Sequence, residues 1–298
     1  MKGPLLIIGG TGTLGRHLVA EARRLGLAIE ATRRTGGDGL RAFSLADDAP
    51  GDFIDRLPQR PSAAFVCAAE SGIDRCRTDP ASARINVDAT QALFSALAER
   101  GILTVFYSSD LVFSGTPGEA ENGYREDDAC RPGTAYGQQK WQAEQALRQL
   151  GERHLIIRLS KLYSGDATDT SPLTQWQRAL AAGQSIPAAI DQWITPTWAG
   201  DVAGISLRCL AESVHGTLHV AAPQSFTRHA LAVFLATQWG YDPARVIPCR
   251  IGDFAFAEPR PQDNRLNTDR LQSLFAHHFR TVLGGKPAPI LARQQELQ

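Results

Sequence analysis

The chain has 298 residues, of which 43% are hydrophobic, enough for one large α/β unit with a smaller lobe. Its 31 basic residues balance 31 acidic ones, so no net field draws it to nucleic acid or to an anionic membrane. Five scattered cysteines without a Cys-x-x-Cys argue against a disulfide framework or a zinc site, and no apolar run nears the roughly 18 residues of a membrane span, so a soluble protein of the reducing cytoplasm is expected.

Leu5 to Ile8 is too short an apolar run for a signal peptide and reads as a fully buried strand. Leu14 to Leu25 repeats apolar residues at helical spacing and stops at Gly26. Strands are predicted over Leu27–Thr32 and Ala63–Cys67. Asp79-Pro80 opens a long helix running to Arg100 and closed by Gly101. A strand at Leu103–Tyr107, a helix at Ala135–Leu150 and a strand at His154–Arg158 follow. This β-α-β order, with strands apolar throughout, predicts a Rossmann-type doubly wound parallel sheet covered by helices on both faces. After Ser164 prolines punctuate shorter elements: helices near Trp198–Ala211 and Phe226–Trp239, a strand at Thr217–Val220, and a loop from Glu258 to Asn267. Residues 1–164 are therefore expected to form a dinucleotide-binding domain and 165–298 a smaller substrate lobe, some of whose segments return to the main sheet.

Gly9-Gly10-Thr11-Gly12-Thr13-Leu14-Gly15 stands between the first strand and the first helix. Glycines there permit a tight turn, close approach of backbone to a pyrophosphate, and close packing of helix on strand. The helix N-terminus adds free N–H groups and partial positive charge. In that context the loop predicts a dinucleotide site; in isolation it is equally a plain turn. A dinucleotide site for NAD carries an acidic residue at the tip of the second strand. Here the tip reads Ala31-Thr32-Arg33-Arg34-Thr35, and Glu30 falls earlier. Two guanidiniums suit a ribose 2′-phosphate, which points to NADP(H), although such a pair also occurs merely solvated on loops.

Tyr136-Gly137-Gln138-Gln139-Lys140 puts a tyrosine and a lysine on one helix face. The ammonium is expected to pull the phenol toward acid–base range. Tyr107-Ser108-Ser109-Asp110 ends a parallel strand, the edge where open α/β sheets bind ligands. A hydroxyl there suits polarising a carbonyl, and equally suits capping a turn; Asp110 also reads as a turn residue.

Together these motifs resemble the extended short-chain dehydrogenase/reductase family, most closely its dTDP-4-dehydrorhamnose reductase branch. The resemblance covers most of the chain. It rests on Ser108-Ser109-Asp110-Leu111-Val112-Phe113-Ser114-Gly115, on Pro132 through Lys140 with Glu144 beyond, and on Arg158-Leu159-Ser160-Lys161-Leu162-Tyr163. Pro196-Thr197 through Asp201-Val202-Ala203, and Arg260-Pro261 through Thr268, extend it. It implies NADPH-dependent reduction of a 4-keto-6-deoxy sugar nucleotide. Tyr136 would then be the proton donor, Lys140 its partner and ribose ligand, and Ser109 the carbonyl polariser with Asp110 beside it. Ala68 and Ala69 would line the cofactor, and Asn86 would match the family asparagine, a position that reads as well as a helix-surface residue. Lys161 departs from the pattern, standing where the reductases carry an aromatic near the sugar. Gln138-Gln139, Ser109 and Asn267 depart from it too. Two other activities stay open: an epimerase or dehydratase using bound NADP, and a non-catalytic regulatory subunit.

No Gly-x-Ser-x-Gly elbow points to a hydrolase, and His277-His278 lacks partners at metal spacing, so no metal is expected. Trp176, Trp193 and Trp198 suit either stacking on a ligand or packing. A homodimer is the default expectation for a soluble oligomer.

Overall fold

The structure, a computed structural model, describes residues 3–166, 169–276 and 279–280. Its centre is a seven-stranded parallel sheet. In chain order the strands are β1 (Leu5–Ile8), β2 (Ile29–Arg33), β3 (Arg41–Ala42), β4 (Ala63–Val66), β5 (Leu103–Ser109) and β6 (His154–Leu159), joined by the later strand Gly216–Val220. Spatially they run Gly216–Val220, β6, β5, β4, β1, β2, β3. The central strands are buried along nearly their whole length because both sheet faces are covered, as their unbroken apolar runs predict.

Alternating side chains feed two separate cores. Leu5, Ile7, Phe65 and Val105 pack toward the helices Thr13–Arg24 and Ala199–Ala211. Leu6, Ile8, Ala64 and Phe106 pack toward Thr90–Glu99 and Ala135–Gln149. The predicted Asp79–Arg100 helix is a helical run over Ala81–Glu99 whose segment Arg84–Ala89 is π-helical. Such insertions are frequent at functional sites, and this one carries Asn86.

The second half of the chain divides its loyalties. Gly216–Val220 pairs in parallel with β6, and Ala199–Ala211 packs on Thr13–Arg24, so both build onto the main sheet. The helices Pro172–Ala181 and Arg228–Gln238 form their own core around Leu173, Trp176, Leu231 and Leu235. Short strand pairs unmarked in the sequence tie this lobe together: Ile186–Ala189 with Val246–Cys249, Trp193–Ile194 with Phe226–Thr227, and Leu162–Tyr163 with Thr197–Trp198. The helix expected from Phe226 begins at Arg228, because Thr227 caps it through its side-chain oxygen. His277-His278 lies outside the described residues. Among the described residues no helix is long and apolar enough to cross a membrane.

Candidate active site

The glycine loop is shaped by contacts only glycine permits. A Cβ on Gly15 would stand 2.1 Å from the Gly9 carbonyl oxygen, so helix Thr13–Arg24 rests directly on the loop. Gly9, at φ 86°, passes so close to Ala68 that a Cβ would meet its nitrogen at 2.8 Å. The loop is pinned to β2 by Gly10 N–H donating to the Thr32 carbonyl at 2.7 Å. A Cβ on Gly12, by contrast, meets only the Gly9 carbonyl, at 3.4 Å, and no side chain caps the helix that Gly12 begins. The first-turn N–H groups are thus left for a ligand.

Gly12, Thr13 and Leu14 line a cleft of about 530 Å³ at the C-terminal edge of the sheet. Of the other residues singled out in the sequence, Ala69, Ser109, Asp110, Tyr136 and Lys140 line the same cleft. Gly9, Gly15 and Ala68 shape the loop from behind, and Thr11 is at its exposed tip. Arg33 and Arg34 follow from β2, next to the loop but outside the cleft wall. Arg33 is held by Asp38 at 2.6 Å, and Arg34 is exposed. A second cavity, about 580 Å³, shares Phe256, Arg260 and Pro261 with the cleft but none of the Ser, Tyr and Lys set.

The helix Ala135–Gln149 brings Tyr136 and Lys140 to the cleft. Thr134 caps it by accepting from Gly137 N–H at 3.1 Å, and Glu258 accepts from Ala135 N–H with both oxygens, at 3.0 and 3.1 Å. Its approach to β5 depends on Gly137, where a Cβ would stand 2.0 Å from the Leu111 carbonyl oxygen. The helix therefore lies on the turn that carries Ser109 and Asp110. Lys140 Nζ donates to the Tyr107 carbonyl at 2.9 Å and stands 5.8 Å from the Tyr136 ring centre. Burial lowers its pKa to about 8. The effect on Tyr136 is the reverse of the sequence expectation. Burial, reinforced by Cys76, Asp110 and Glu70, pushes the phenol up rather than down, so it holds its proton firmly.

Ser109 lines the cleft and, through Oγ, accepts from Leu111 N–H at 3.2 Å as the cap of the turn Asp110–Val112, the capping role its sequence suits. Its hydroxyl donates to Asp110 Oδ1 at 2.8 Å. Beside it, Ser108 Oγ is buried with no partner among the described residues while Ser108 lines the cleft. An orphaned buried hydroxyl of this kind is a place for a ligand group.

Other parts of the site went unread or half-read in the sequence. Asn86, 2% exposed, is no surface residue: its amide accepts from Glu70 N–H at 2.9 Å and donates to Gln139 Oε1 at 2.7 Å. The departure Gln139 is thereby explained, since it ties the Tyr136 helix to the loop after β4. Arg158 and Glu144, both essentially inaccessible, form a two-pronged pair at 3.0 and 2.9 Å that clamps the same helix to β6. Lys161, after β6, opens into the cleft yet is surrounded deeply enough that burial lowers its pKa. Of the tryptophans, Trp176 is core, Trp193 lines the cleft against Arg265, and Trp198 packs on His17.

A parallel sheet with an open glycine loop after β1, a serine at the end of β5 and a tyrosine and lysine on the helix that follows defines the class of short-chain dehydrogenases/reductases. Comparison with known proteins narrows it. The model of the RmlD substrate binding domain matches residues 1–283, and the chain belongs to that family. It is 32% identical over 283 residues to the probable low-salt glycan biosynthesis reductase Agl14 of Haloferax volcanii, covering 89% of this chain and 90% of the relative. It is 33% identical over 278 residues to a probable dTDP-4,6-dihydroxy-2-methyloxan-3-one 4-ketoreductase of Streptomyces antibioticus, covering 89% and 87%. The fold is similar to the crystal structure of dTDP-4-dehydrorhamnose reductase from Bacillus anthracis in complex with NADP, with a TM-score of 0.81, 22% identity, and 94% and 95% of the two chains covered.

Proposed function

We propose that this protein reduces the 4-keto group of a nucleotide-linked 6-deoxy sugar at the expense of NADPH. The observation that carries this reading is the convergence on one cleft of Ser109, Tyr136 and Lys140 with the uncapped helix start Gly12–Leu14. Relatives named as a 4-ketoreductase and as a glycan biosynthesis reductase support the substrate class. Residues 1–164 serve the cofactor and the chemistry, and 165–298, apart from the elements that join the main sheet, serve the substrate. The five free cysteines suit the reducing cytoplasm.

The chain's groups fit the cofactor. The N–H groups of Thr13 and Leu14 at the helix start suit a pyrophosphate, and Gly12 leaves backbone bare for close approach. Arg33 and Arg34 suit a 2′-phosphate, with Arg33 exchanging its pairing to Asp38 for the stronger anion. Lys140 holds the ribose. When bound, NADPH supplies the hydride. Ser109 hydrogen-bonds the carbonyl oxygen, and Tyr136, kept protonated by burial, delivers its proton to that oxygen. A firmly held phenolic proton matches reduction, in which the tyrosine is donor.

The test is the loss of reduced-nicotinamide absorbance when the purified protein meets NADPH and a panel of 4-keto-6-deoxy sugar nucleotides. Wild type should consume NADPH. Tyr136→Phe should turn over roughly 10²–10⁴-fold more slowly while binding NADPH normally. Bound NADPH without consumption would instead favour an epimerase working by internal redox or a regulatory subunit.

A further inference from the structure

We infer that Asp110 is a positioning residue that decides what Ser109 can do: the serine hydroxyl is free to donate to a substrate carbonyl only while the Asp110 carboxyl carries a proton. This rests on the carbonyl reduction proposed above and adds a condition to it.

A serine hydroxyl has one proton to give and room to accept two. Leu111 N–H occupies one accepting position at 3.2 Å, and Asp110 Oδ1 lies 2.8 Å from Oγ. An ionised carboxylate can only accept, so the serine proton must point at it. A bond to a charged acceptor is about twice as strong as one to a neutral carbonyl, so the substrate does not win that proton. The carbonyl oxygen, itself an acceptor, would then meet only a serine lone pair. With Asp110 protonated the direction reverses. The carboxyl O–H donates to Oγ, filling its second accepting position, and the serine O–H is released toward the cleft. No proton is consumed in the exchange, since Tyr136 supplies the one that ends on the product.

The surroundings shift the balance toward the protonated form. Burial pushes the Asp110 pKa up to about 6, partly offset by the Ser109 hydroxyl and by Lys161 across the cleft. The titratable groups acting on Asp110 from the elements packed around it are Lys161 after β6 and Tyr136 on its helix. Asn264, from the segment beyond Arg260, reaches only the Asp110 main-chain oxygen, at 3.2 Å.

Two measurements decide it. The first needs no substrate: carbon-13 NMR of the side-chain carboxyls, with the Asp110 signal assigned by its loss in Asp110→Asn. Asp110 should titrate near 6, and Ser109→Ala, which removes a bond to the ionised form, should raise that value. Titration in the ordinary range near 4, or indifference to Ser109→Ala, would overturn the inference. The second is kcat/KM against pH, which reports the free enzyme. Wild type should lose about tenfold per pH unit above the Asp110 pKa. Asp110→Asn, whose amide N–H always donates to Oγ, should run flat there and exceed wild type about tenfold or more at a pH about two units higher. A variant that keeps the falling limb, or a folded one that is slow at every pH, refutes the idea. Wild type that consumes no NADPH at any pH would strike the proposed function, and the carboxyl titration would still judge the Ser109–Asp110 coupling.

Discussion

At the C-terminal end of the helix Ala135–Gln149, Glu144 is wholly buried, yet its oxygens are taken up by Arg158 and Arg148. One turn and two turns earlier, Lys140 is also enclosed and Tyr136 partly so, but Lys140 donates to a main-chain carbonyl rather than to a carboxylate, and Tyr136 faces the open cleft. The same contrast runs along β5 and β6. Arg158 is saturated with partners, while its register neighbour Ser108 has an orphaned hydroxyl. Buried charge that is fully paired holds this structure together. Buried polar groups left short of partners where they line the cleft, Ser108 among them, are where its chemistry is expected.

The largest loss is expected at the paired end. Glu144→Ala leaves Arg158 buried and uncompensated and should cost about 3–5 kcal/mol in urea unfolding; replacing both Glu144 and Arg158 with apolar residues of similar volume should recover most of that loss. If the double variant is as unstable as the single, pairing is not what fixes the helix. A smaller effect is expected at the cofactor edge. Arg33→Ala and Arg34→Ala should each weaken NADPH binding by about ten- to hundredfold, roughly 1.5–3 kcal/mol, and leave NADH binding unchanged in fluorescence titrations.

At the unpaired end the sign is opposite, because Asp110 carries a cost to folding. Its folded-state pKa is raised, so between its ordinary value of 3.8 and about 6 the folded protein keeps a proton that the unfolded chain has released, and stability falls across that interval as pH rises. Asp110→Asn should therefore match wild type below about pH 4 and gain on the order of 1–2 kcal/mol above pH 6, read as a rise in Tm. Smallest of all, Lys161→Met removes a cation that favours the charged carboxylate and should raise the Asp110 pKa by about one unit or less in the NMR titration.

Much of this was legible in the residues because local chemistry encodes it. Leu5–Ile8, the glycine loop and the helix from Ala135 stand where apolar runs, glycines and caps put them. The parts not foreseen depend on partners far away in the chain. Glu258 caps a helix that begins at Ala135, and Arg158 finds Glu144 only once β6 lies under that helix. Gly137 reads as a weak helix former until the Leu111 carbonyl is seen against it. The phenol of Tyr136 was expected to move down because a sequence shows the nearby lysine but not the depth of burial, and burial prevailed.

Gly216–Val220, one of the two edge strands of the sheet, bears on how the chain is made. It completes the sheet beside β6, but it leaves the ribosome long after β6 and after every serine, tyrosine and lysine of the cleft. Until then β6 offers a bare row of N–H and C=O groups, an open template for another nascent chain. A fragment ending just past Ser164 would contain all the proposed reactive groups and would still be prone to clump along that edge. For this protein, solubility during synthesis is therefore entrusted to residues that take no part in the reaction.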